Sequence, residues 1–193
     1  MQKELKDIFP LFGVEHNSVL SKHGDITIAY EVTLPELFTL SDQEYEALHQ
    51  ALIKAIRILP KQTIFHKQDW FTEAKYITDF SKEDQSFLSR SSERFFNERP
   101  YLNHQCYIML TKKPVNRKSG SSLFSTLRRR SIVPEETLKP QLLQDFLDST
   151  GQFERILKDS GFIQLKRLTD EELSGSGQYC GLVERYMNLQ PNE

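Results

Sequence analysis

ITIAYEVTL, residues 26–34, is the stretch from which the fold can be read. Ile26, Ile28, Tyr30, Val32 and Leu34 fall on one side of an extended chain, and Thr27, Ala29, Glu31 and Thr33 on the other. A period of two predicts a strand with one buried face. Ser21-Lys-His-Gly-Asp25 before it reads as a turn, and Val14–Leu20 as its hairpin partner. The pattern then changes period. Ser41-Asp-Gln-Glu44 has the form of a capping box, and Tyr45, Leu48, Leu52, Ile56 and Leu59 follow at helical spacing until Pro60.

The same two periods organise the rest. Thr63–Phe71 is strand-like. Ser81 opens a helix that carries Phe87, Leu88, Ser91 and Phe95 on one side and stops before Pro100. In Leu102–Thr111, Cys106, Ile108 and Leu110 lie on one face and Tyr107 and Met109 on the other, so this strand should be central and covered on both sides. A long helix is expected from about Pro140 to Asp159, weakened at Gly151 by about 1 kcal/mol relative to Ala and ended at Ser160-Gly161. Phe162–Leu168 reads as a short strand, Thr169-Asp-Glu-Glu172 as a second capping box, SGSGQ (174–178) as a hinge, and Tyr179–Leu189 as a terminal helix. Strands interspersed with helices after an opening hairpin define an α+β fold, with helices on a mixed or antiparallel sheet and one long basic loop.

The totals fit one domain with a sizeable core: 193 residues, 38% hydrophobic, 27% charged, net charge −2. Charge is segregated. Residues 1–98 hold 11 Lys/Arg against 16 Asp/Glu, and residues 135–193 hold 6 against 11, but residues 99–134 hold 8 Lys/Arg and no acid. Two cysteines, Cys106 and Cys180, are too few for a disulfide framework or a four-ligand zinc site and suit a reducing compartment. The start lacks a signal-peptide core, and no run approaches the roughly 18 apolar residues of a membrane span, so a cytoplasmic protein is expected.

The chemistry-bearing residues do not assemble a reaction centre on paper. No glycine begins G-x-x-x-x-G-K-[ST], and Gly175-Ser-Gly177…Gly181 lacks dinucleotide spacing. His66 and Asp69 are three apart on a predicted strand, which sends them to opposite faces. His104 and Cys106 share a face, but two ligands from one strand do not make a catalytic zinc site. Ser121 and Ser122 have no neighbouring base. Trp70 and Phe71 read as packing anchors or, if exposed, as an interface pair. No catalytic, cofactor or metal role is therefore expected for any residue.

What remains is KPVNRKSGSSLFSTLRRRS, residues 113–131, with six Lys/Arg, no acid and no regular period. Three readings stand. It is a solvated loop that offsets its acidic neighbours, a protein-docking loop in which Phe124 and Leu127 fold against a partner, or a nucleic-acid grip. In the last two, Lys113, Arg117, Lys118, Arg128, Arg129 and Arg130 would meet an anionic surface. Base-stacking side chains are scarce there, with only Phe124 nearby.

KQDWF (67–71), FFNERPYLNHQCYIMLTK (95–112) and QFERILKDSGFIQLKRLTDEEL (152–173) resemble the amino-terminal region of TraG-type ATPases of conjugative transposons, relatives of the ATPases that power type IV secretion. The likeness runs from about Glu4 to Leu189. It implies a non-catalytic assembly domain at residues 1–173. A hinge and helix at residues 174–193 would lead to a RecA-like ATPase motor beyond Glu193. The implied partners are proteins of the conjugation channel at the inner face of the inner membrane, with self-association through the motor. No Walker motif lies in this chain, so ATP hydrolysis is not carried over. The alternative is a DNA-binding module acting in transfer through the basic 112–130 loop. That reading requires DNA affinity to fall steeply between about 50 and 200 mM salt, which a filter-binding titration would measure.

Overall fold

The computed structural model describes residues 9–76, 86–97, 99–114 and 140–188. Within them six strands form one antiparallel sheet: β1 (Leu11–Glu15), β2 (Ser18–Ser21), β3 (Ile26–Thr33), β4 (Thr63–Lys75), β5 (Pro100–Lys112) and β6 (Gln164–Arg167). The order is β1-β2-β3-β5-β4, and β6 also pairs with β3, on the second half of the strand. The helices are α1 (Asp42–Arg57), α2 (Phe87–Asn97), α3 (Pro140–Asp159), α4 (Asp170–Ser174) and α5 (Leu182–Asn188), with a 3-10 turn at Leu37–Thr39. The fold is α+β.

The alternating face of β3 builds the core as expected. Ile26, Ile28, Tyr30 and Val32 lie against Cys106, Ile108 and Leu110 of β5, under Ala55 of α1 and Phe146, Phe153 and Leu157 of α3. Tyr30 is buried, its ring 6.4 Å from that of Phe153, and its hydroxyl donates to the Thr150 carbonyl at 3.4 Å. Burial pushes the phenol up to about 12, so it stays a neutral donor.

β3 departs from the sequence reading on its other side. Ala29 is buried together with Val19, Tyr107, Leu168, Leu173 and Leu182, so both faces are covered through the middle of the strand. The covering segment is β6–α4–α5, more than 130 residues later in the chain, and nothing local to 26–34 announces it. β5 is central and two-faced, as its own pattern predicts.

The opening segment also differs. Val14–Leu20 is not one strand; it contains the reversal of a β1–β2 hairpin. His16 and Asn17 take positive φ, 56° and 55°, the geometry of a tight two-residue hairpin turn that Asn and His enter more readily than most residues. The turn is clasped from the far end of the chain. Asn17 N–H donates to Asp170 Oδ1 at 2.6 Å, Asp170 N–H donates to Asn17 Oδ1 at 3.0 Å, and Arg167 donates to the carbonyls of His16 and Asn17.

Both capping boxes form. Ser41 and Glu44 close the start of α1, and Thr169 and Glu172 that of α4. The SGSGQ stretch, read as a hinge, is a closed loop. Ser176 and Tyr179 pair as an isolated bridge, and Gly175 holds φ 89°. A Cβ on Gly181 would stand 2.1 Å from the Gly175 nitrogen. Two backbones meet there because neither carries a side chain. Gly181→Ala should therefore destabilise the domain by about 2 kcal/mol, measured by urea unfolding; an unchanged midpoint would mean the loop opens freely.

Candidate functional site: an apolar arm and the clusters at its root

β4 and β5 pair without interruption from Thr63↔Lys112 to Lys75↔Pro100. β3 accompanies β5 only as far as Cys106. Beyond that point the ribbon Trp70–Lys75/Pro100–Gln105 continues as a two-stranded arm, and α2 lies in the connection at its far end. The strands run longer than the sequence pattern indicates, β4 by four residues at its end and β5 by two at its start and one at its end.

α2 is turned inside out relative to an ordinary amphipathic helix. The side expected from sequence is present, but Phe87 and Leu88 are 82% and 78% exposed, and Phe95 and Phe96 are exposed as well. The only half-buried residues of the helix are polar, Ser89 and Glu93. Ser86 begins the helix, its hydroxyl accepting the Ser89 N–H at 3.2 Å, and Arg99 stacks 3.9 Å above the Phe95 ring. An 11-residue helix with no buried residue has little stability of its own in water. On the ribbon itself Phe71 and Leu102 are exposed on one face and Tyr101 on the other.

Two clusters mark the root of the arm, one on each face. On the α1/α3 face, Asp69 Oδ1 meets His104 Nε2 at 2.9 Å, Lys67 pairs with the other carboxylate oxygen, and Phe71 stacks on the imidazole at 4.7 Å. His66 and Asp69 occupy alternate faces, as the spacing requires. The partner that spacing alone misses is His104, which the β4–β5 register brings alongside. The pair sits on open strand surface. Hydrogen bonds from Lys67 and then His104 hold the Asp69 carboxyl down at about 2. Opposite Asp69, burial pushes the Cys106 thiol up to about 11, so it stays protonated and behaves as core.

On the other face Arg185 of α5 is buried at 6% exposure. It donates to the Tyr107 hydroxyl at 2.8 Å and to Gln105 Oε1 at 3.1 Å, and its guanidinium lies 5.1 Å from the Trp70 ring. Trp70 also packs edge-on against Tyr186 at 5.3 Å. Trp70 is thus the packing anchor and Phe71 the exposed member of the pair. The aromatic setting of Trp70 and Tyr107 is the only sequence hint of where Arg185 goes.

Of the anionic-partner candidates, Lys113 is half-buried at the end of β5, its N–H donating to the Gln62 carbonyl at 3.1 Å. Arg117, Lys118, Phe124, Leu127, Arg128, Arg129 and Arg130 lie outside the described residues. Among the described residues no group of three or more His, Cys, Asp or Glu could hold a metal ion, and no helix is long and apolar enough to cross a membrane. Away from the arm, an apolar cleft of about 340 Å³ lies between the β1–β2 hairpin and Leu143.

A family model described as "Domain of unknown function, B. Theta Gene description (DUF3875)" matches residues 1–50, a span that ends within α1. No curated protein matches the chain.

The depressed Asp69 pKa has a defined consequence for stability. A carboxyl whose folded pKa lies below its ordinary value of 3.8 stabilises the fold above that value and loses its contribution as pH falls through about 2. Asp69→Asn should therefore flatten the acid limb of a stability–pH profile between about pH 4 and 2, followed by thermal melts; an unaltered limb would show that the pair adds nothing.

Proposed function

We propose that this chain is an assembly domain of a TraG-type conjugation ATPase and works by docking on proteins of the conjugation channel at the inner face of the inner membrane. The observation that carries the reading is the outward apolar side of α2 at the end of the β4–β5 arm. Phe87, Leu88 and Phe95 are held ready for a partner and bury nothing within the described fold. A helix this short gains its stability on the surface it joins.

The family resemblance supports the same reading. Its three stretches supply the middle of β4, the end of α2 with β5, and the second half of α3 with β6 and α4. They therefore cover part of the arm, but not Phe87 and Leu88. Contact of the basic 113–131 segment with acidic protein or lipid headgroups is a second element of the proposal, resting on its six Lys/Arg without an acid.

The test is capture of inner-membrane channel components by the tagged domain. Phe87→Asp with Phe95→Asp should reduce capture about ten-fold or more, as expected when buried apolar anchors are replaced by charge. Arg128–Arg130→Ala should reduce it separately. Undiminished capture by the α2 variant removes the arm from the mechanism, and undiminished capture by the Arg variant removes the loop.

A further inference from the structure

β4 is an edge strand thirteen residues long, and among the described residues no strand pairs with its outer side. Long, regular edges present a row of free N–H and C=O groups and are ordinarily blunted by charges that point toward the core side. β4 has such charges, Lys67 and Asp69, both on the α1/α3 face. Their placement is self-complementary. The strand reads Phe65-His-Lys-Gln68-Asp-Trp-Phe71, which is symmetric in kind about Gln68: Phe with Phe, His with Trp, Lys with Asp.

We propose that β4 pairs antiparallel with β4 of a second copy of this chain, about a two-fold axis through Gln68. Lys67 of one copy then faces Asp69 of the other, twice, and Phe65 faces Phe71. Opposed side chains in an antiparallel pair share a face, so the two sheets join into one with their α1/α3 layers on the same side. Phe71, 62% exposed in the single chain, comes to rest beside Phe65, whose ring already lies 6.1 Å from Phe153. The core therefore continues across the junction. His66 and Trp70 meet on the other face.

Neighbouring registers are disfavoured by the same charges. A two-fold axis at Asp69 sets Asp69 against Asp69, and one at Lys67 sets Lys67 against Lys67; a one-residue slip turns the two sheets face to back. The pairing uses β4 alone and none of Phe87, Leu88 and Phe95, so it is argued independently of the docking reading.

The 193-residue chain, studied by sedimentation equilibrium, should show twice the 22.6 kDa of one copy. Lys67→Asp and Asp69→Lys should each weaken self-association by about ten-fold or more, because each turns two attractions into two repulsions. Mixed together, the two variants should form a heterodimer, since both carboxylates of the first then face both ammonium groups of the second. The double exchange, Lys67→Asp with Asp69→Lys in one chain, should restore the homodimer. A wild-type chain that stays at the mass of one copy at about 100 µM overturns the proposal. So do single variants that dimerise as wild type does, or a mixture that does not recover.

Discussion

The β3–β5 pair is the constraint on which the remaining structure depends. Seven residues of β3, Ile26 to Val32, are registered against Lys112 to Cys106, and in the middle of this pair both faces are shut away from water. On one side Tyr30 and Ile108 lie under α3; on the other Ala29 and Tyr107 lie under the carboxy-terminal segment. An apolar strand pair with two covered faces has little freedom of register, since a one-residue slip would carry Ile28 and Tyr30 into the space sized for Ala29. The edges are attached to this spine, and the arm is the part of β5 that outruns it.

What the sequence discloses follows from the range of the forces involved. The core face of β3, the two-sided burial of β5, both capping boxes and the span of α3 are local patterns, and each is realised with its expected residues. The hairpin reversal at His16-Asn17 lacks glycine, so no strong turn signal marks it, and the pattern runs through it as a single strand. The cover over Ala29 is non-local. The closed loop at Gly175–Gly181 looks, as a string of glycines and serines, like a flexible connector; only the approach of the two backbones reveals why glycine stands there.

The candidate site was legible in part. Periodicity assigns Phe87, Leu88 and Phe95 to one side of a helix, but periodicity cannot say whether that side points inward. The Asp69–His104 contact requires knowing the β4–β5 register, which no pairwise spacing along one strand contains. Arg185 is further still from sequence reasoning: a guanidinium is ordinarily matched with a carboxylate, and this one is settled by a phenol, an amide and the face of an indole. These features divide the labour of the ribbon. Its root is tied down on both faces, and its far end is left apolar and open.

The clasp between Asn17 and Asp170 has a bearing on how the chain is made. A ribosome releases the amino end first, yet β3 must wait for Gln164–Arg167 to complete its outer border, and the first hairpin waits for Asp170 to hold its turn. The nascent first third can therefore reach no finished state by itself, and the span matched by the family model is a portion of a folding unit rather than a module. Closure comes last, when β6 is laid along β3 and Asp170 is brought to the Asn17 turn.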